Sequence, residues 1–206
     1  GAGFGKPLLT MHNNTEGTVS YTNLLCIPSS KPFDLFNPDR KSSLKLYINR
    51  VFITDKCDNL IPAYLRFVKG IVDTQDIDLN VSREMLQNNP AVAKISKSLV
   101  GKILRELKKI AEKDKAKYIQ FWNEFGQVLK EGLYEDLERK DTLLELARFS
   151  NNENDDLISL DDYVNAMDKN QKDIYYIAAD TKSQALSSPH LEGFKSKGIK
   201  VLVMAD

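Results

Sequence analysis

Residues 79–90, LNVSREMLQNNP, carry the pattern in this chain best suited to chemistry. Arg83 and Gln87 stand four residues apart, so on a helix opened by Ser82 (or Asn80) they project together from one face. Met85 and Leu86 would hold another face on a core. A guanidinium is a planar fork matched to phosphate oxygens, and one fixed at a helix start by packed neighbours is pre-organised for an anion. Offered to a nucleotide held elsewhere, it stabilises charge in phosphoryl transfer. The bland alternative is an ordinary helix-surface arginine, and the pattern alone favours it.

The other reactive side chains do not converge. Cys26 and Cys57 lack CxxC spacing, which fits a reducing compartment and two plain thiols. His12 and His190 are isolated, and His190, just after Pro189 in a first helical turn, reads as a surface histidine. Asp161 and Asp162 follow Ser159, so a capped helix start explains them better than a metal pair. The opening GAGFGK lacks the GxxxxGK[ST] spacing and a preceding strand, and residues 1–3 read as a cloning remnant. HExxH, GxSxG and dinucleotide fingerprints are absent, and no metal site is expected. The chain holds no self-contained active site.

Composition narrows the class further. With 42% hydrophobic and 28% charged residues, the 206-residue chain can bury a core. Lys+Arg and Asp+Glu are 29 each, so the basic excess of a nucleic-acid or membrane-surface binder is missing. No apolar run approaches the roughly 20 residues that span a bilayer.

Around the 79–90 motif, the texture is α/β. Residues 18–27 and 44–54 are rich in β-branched and aromatic types and read as strands, joined by a Pro/Ser/Asp-dense loop. Residues 61–70 place Ile61, Tyr64, Leu65 and Val68 at helical spacing with Gly70 as a stop, and 71–78 read as a loop into the motif. Asn89-Pro90 starts a long helix with Val92, Ile95, Leu99, Ile103, Leu107 and Ile110 on one face, its lysines and Arg105 being solvated. Residues 118–132 and 141–149 read as helices, with Trp122 and Phe125 in the core. Beyond residue 150, the Asn-rich acidic NNENDD reads as a loop and SLDDYVNAM as a capped helix. DIYYIAAD and IKVLVMAD read as buried strands, and a helix from Ser188 to Gly198 makes them a parallel β–α–β unit. The chain stops at Asp206, directly after a strand, which reads as a fragment of something longer.

Several segments in order, LKLYINRVFITD, LIPAYLRFVKGIVDTQDIDLNVSREMLQNN, FWNEFGQVLKEG and IYYIAAD…SSPHLE…KGIKVLVMAD, resemble the middle domain of the ninety-kilodalton heat-shock chaperone family over essentially the whole chain. FWNEFGQVLKEG and SSPHLE look most like the bacterial form, whereas KPFDLF also resembles eukaryotic members. The resemblance implies an α/β fold with a larger α/β/α sandwich over 1–111 that carries a catalytic loop, a helical connector over 112–149, and a smaller α/β/α unit with parallel strands over 150–206. It implies part of a dimeric, ATP-driven stress-response chaperone. Mg-ATP would sit in an amino-terminal domain, the homodimer contact in a carboxy-terminal one, and client proteins would be the partners, with no nucleic acid or membrane. The bacterial form implies the cytoplasm, with an organelle as the alternative.

In that family the LN.SRE..Q segment is the catalytic loop. Arg83 would reach the γ-phosphate, Gln87 would assist, and Asn80 belongs to the same loop. Phe52, in RVFITD, resembles an apolar residue that packs near the nucleotide domain; its other reading is sheet core. Asp78 stands where many members have proline, a departure expected to loosen the loop, and the family's strand upstream of KPLL is expected to be missing. Two rival readings remain. One is a purely structural spacer; the other is a stand-alone enzyme using the strand ends at Asp180 and Asp206 as a crevice.

Overall fold

A computed structural model describes residues 5–40 and 43–205. Asp206 and the GAGF of the opening stretch lie outside the described residues. The architecture is mixed α/β, with two sheets and helices in two compact units, Gly1–Glu131 and Gly132–Asp206. The division falls inside the stretch expected as connector.

In the first unit, strands β1 (Leu9–Thr15), β2 (Tyr21–Ile27), β3 (Leu44–Ile48), β4 (Val51–Thr54) and β5 (Lys69–Thr74) form one sheet in the order β1-β2-β5-β3-β4. All pairs are antiparallel except β3 with β5. The two-residue strand period selects the core face: Tyr21, Leu25, Ile27, Leu44, Leu46, Ile48 and Val72 are buried, while Leu24 and Ile71, cross-strand neighbours, are exposed on the other face. A one-turn helix, α1 (Arg83–Leu86), precedes α2 (Pro90–Lys113) and α3 (Lys115–Lys130). Asn89 caps α2 by accepting from the amides of Ala91 and Val92, and Pro90 occupies the first turn, where it forfeits no helical bond. The expected stripe from Val92 to Leu107 is buried, with Ile110 half-buried at its end. In α3, Phe121 and Phe125 pack on Phe67, with centroids 5.5 and 4.9 Å apart. Trp122 is buried over Gly126, where an added Cβ would lie 2.5 Å from the indole. The Arg66 guanidinium closes the unit by donating to both carboxylate oxygens of Glu131, at 2.5 and 3.0 Å.

Three expectations fail in this unit. Residues 44–54 are not one strand but the β3–β4 hairpin, turning at Asn49 and Arg50, both with positive φ (47° and 65°). Residues 61–70 are not a helix: a single 3₁₀ turn at Ala63–Leu65 leads through residues 66–68 into β5, which takes in the first half of the expected loop. The four apolar residues are buried all the same, because a 3₁₀ turn ahead of a strand turns the same positions to the core. Gly70 is not a helix stop. It sits inside β5 at φ 140°, where a Cβ would collide with the Leu24 carbonyl oxygen. Strand β1 was not anticipated.

The second unit contains α4 (Gly132–Glu135), α5 (Lys140–Leu146), β6 (Ser150–Asn151), α6 (Leu160–Ala166), β7 (Tyr176–Ala179), α7 (Lys182–Leu186), α8 (Glu192–Ser196) and β8 (Leu202–Ala205). β7 and β8 pair in parallel, as the β–α–β reading requires, and β6 adds an antiparallel edge. β7 is not buried, however: Tyr176 is 65% exposed. Ser159 and Asp162 form a reciprocal capping box on α6, which accounts for Asp162. The Asn151 side chain organises the acidic loop, accepting from the amides of Glu153 and Asn154 and donating to the Asp156 carbonyl. The buried Tyr163 hydroxyl donates to the Lys200 carbonyl at 2.6 Å and accepts from the Tyr175 amide, tying α6 to both strand approaches.

Candidate functional site

The segment carrying Arg83 leaves the carboxyl end of β5, beside the β3–β4 turn. That end is tied down first. The Thr74 hydroxyl donates to the Ser20 carbonyl (2.9 Å) and accepts from the Asp76 amide (3.1 Å), and the Asp76 carboxylate accepts from the Ser20 amide (2.5 Å). The Asn49 amide donates to the Thr74 carbonyl and the Arg50 amide to the Asp73 carboxylate. Next, Asp78 folds the turn: its carboxylate accepts from the Asn80 amide (2.9 Å) and its carbonyl from the Val81 amide (3.1 Å). Asp78 was expected to loosen the loop, and here it supplies the turn with a side-chain bond that proline lacks.

Ser82 then caps α1, its hydroxyl accepting from the Met85 amide at 3.3 Å. Leu86 is the buried anchor, whereas Met85 is 64% exposed and does not join it in the core. Adjacent positions on a single turn point about 100° apart, so one anchor leaves the other outside. Arg83, Glu84 and Gln87 are exposed. The far end of α1 is held from another segment: the Asn59 carboxamide donates to the Gln87 carbonyl at 2.7 Å and the Leu86 carbonyl at 3.3 Å.

Arg83 and Gln87 share one cleft of about 150 Å³ with Leu86, facing Thr54, Cys57 and Asn59, with Lys56 and Glu84 completing the lining. Among the described residues, the Arg83 side chain makes no hydrogen bond or ion pair. Asn80 stands in the preceding turn and does not line the cleft. Phe52, on β4, is half-exposed and packs edge-to-face on Tyr47 (5.6 Å), so it is not a core residue. Burial pushes the Cys57 thiol above its ordinary value, with the Asp58 charge adding to the rise and a backbone hydrogen bond from Leu60 opposing it. Sequence reasoning missed Asn59 and Cys57, because nothing in their own neighbourhood points to a helix 27 residues later. Elsewhere, His12 and His190 are exposed and Asp180 is an exposed residue whose amide meets the Gln184 side chain. Among the described residues, no helix is long and apolar enough to cross a membrane.

Known proteins match this chain along its length. The Hsp90 protein family model matches residues 3–206. The Chaperone protein HtpG of Paramagnetospirillum magneticum is 55% identical over 203 residues, and that of Ehrlichia ruminantium strain Welgevonden 52% over 205, each match covering 98% of this chain. The chain spans about a third of those relatives' length (33% and 32%). Among solved structures, the middle domain of a Plasmodium falciparum heat shock protein aligns with a TM-score of 0.82 at 34% identity, over 98% of this chain and 78% of that one.

Proposed function

The chain belongs to the Hsp90 protein family, and from that membership and the geometry of α1 we propose that it is the part of an ATP-dependent chaperone that completes an ATPase site held by another domain. The observation that carries this is Arg83: exposed, unpaired among the described residues, and presented by a helix pinned at both ends. Such an arginine is ready for an anion that its own domain does not hold. The cleft beside it supports the same reading, since about 150 Å³ is well below the roughly 300–1,000 Å³ of small-molecule pockets.

In this reading the Arg83 fork meets the γ-phosphate of Mg-ATP held by an amino-terminal domain, and it stabilises charge that grows as the phosphoryl group departs. Gln87, one turn on, assists from the same cleft. Asn80 shapes the turn that feeds the helix, and half-exposed Phe52 offers apolar surface to the nucleotide domain. The intact protein is a homodimer through a carboxy-terminal domain, binds client proteins, and works in the cytoplasm. The larger part over 1–111, the connector over 112–149 and the smaller part over 150–206 are the organisation that goes with this role.

The test is Arg83→Ala in the intact chaperone, with nucleotide affinity and turnover measured separately. Turnover should fall on the order of 10²-fold or more, with affinity within about threefold, because the interaction strengthens in the transition state. Unchanged turnover would leave the spacer reading, and an equal loss of affinity would make Arg83 a ground-state binding residue.

A further inference from the structure

We infer that Asn59 is a positioning residue for Arg83: its carboxamide holds the carboxyl end of α1 and thereby sets the direction in which Arg83 and Gln87 leave the helix. This rests on the role proposed for Arg83.

A four-residue helix has almost no stability of its own, since nucleation costs more than one turn returns. Its last carbonyls also need donors from outside. In α1 the Leu86 carbonyl receives the Asn89 amide at 3.3 Å and the Asn59 carboxamide at 3.3 Å, while the Gln87 carbonyl receives Asn59 at 2.7 Å. One side chain therefore holds two consecutive carbonyls. The orientation of the carboxamide is fixed by chemistry, because the reverse would set its oxygen against two carbonyl oxygens. On the other side, the Cys57 thiol donates to the Asn59 Oδ1 at 3.5 Å. That thiol is buried and stays protonated at neutral pH, so it remains a donor.

The segment behind Asn59 is firm enough to act as an anvil. The Lys56 amide donates to the buried Thr54 hydroxyl (3.0 Å) and the Leu60 amide to the Cys57 carbonyl (3.2 Å), and Leu60 and Ile61 are buried. Arg83 thus projects from a helix fixed by Ser82 at its start, Leu86 in the core and Asn59 at its end. Without Asn59 the end frays into solvent and the guanidinium sweeps a wider arc. A displacement near 1 Å from a productive geometry costs up to about 10²-fold in rate, and partial fraying of one turn should cost roughly tenfold.

The experiment uses the full-length chaperone carrying Asn59→Asp, which keeps the shape and removes the donors, and Asn59→Ala, each alone and combined with Arg83→Ala. The readouts are kcat, KM and nucleotide affinity for ATP, together with amide exchange of residues 85–89. We expect kcat to fall roughly tenfold with affinity unchanged, exchange at 85–89 to accelerate, and no further loss when Arg83 is already alanine. Wild-type kcat in both Asn59 variants, with Arg83→Ala still defective, overturns the positioning role and leaves the proposed function standing. An equal additional loss in the Arg83→Ala background also overturns it, since Asn59 would then act by another route. Full turnover in Arg83→Ala itself overturns both.

Discussion

At Gly70 the backbone lies at φ 140°, a region that side chains avoid, and the missing Cβ leaves room for the Leu24 carbonyl oxygen and for Leu25 Cα at 2.9 Å. Gly70→Ala must push β2 away from β5 at the centre of the sheet. It should destabilise the chain by about 3 kcal/mol in urea unfolding, and a loss below about 1 kcal/mol would mean that the sheet shifts freely. Cys57 makes a second claim at this scale. Its folded thiol is pushed upward by burial and by Asp58, so the folded state holds the proton more tightly than the unfolded chain. The stability this confers is present below the ordinary value of 9.0 and is lost as pH rises through the higher folded value. Cys57 should accordingly be alkylated by iodoacetamide more slowly than half-buried Cys26 at pH 8, as peptide mass spectrometry would show. Equal rates would place the thiol in solvent.

Among the elements, the β3–β4 hairpin turns through two residues at positive φ, a geometry that favours Asn-Gly. Asn49 suits its position and Arg50 does not, so Arg50→Gly should raise stability by about 0.5–1 kcal/mol in chemical denaturation. That mismatch also explains why the hairpin was hidden: without a glycine the run from Leu44 to Thr54 reads as continuous. The helical spacing of Ile61, Tyr64, Leu65 and Val68 misled for a related reason, because a 3₁₀ turn entering a strand buries the same four positions. Where capping chemistry was explicit, at Asn89-Pro90 and at Ser159 with Asp162, the helix starts were legible residue by residue. Arg83 and Gln87 were legible as a pair because four residues is one helical turn. Asn59 was not, since only the fold brings it under α1. For the same element, Ser82→Ala removes the cap and should cost about 1 kcal/mol of helix stability, read as faster amide exchange at Met85.

Taken whole, the chain exposes Arg83 beside a cleft with too little space for a nucleotide. The isolated chain should therefore show no ATP turnover above a chain carrying Arg83→Ala, and activity that depended on Arg83 would revive the stand-alone enzyme. The boundary between its two compact units falls after Glu131, immediately beyond α3, and α3 holds Trp122 over Gly126. Trp122 is the single tryptophan in the sequence. Shielded from water, it should fluoresce to the blue, and its emission should redden only when the layer containing α3 opens. The second unit has tyrosines and phenylalanines but no tryptophan, and stays dark in that channel. One spectrum thus reports on the unit that carries Arg83, and an unlabelled chain already contains the optical probe needed to tell the melting of that unit from the melting of its neighbour.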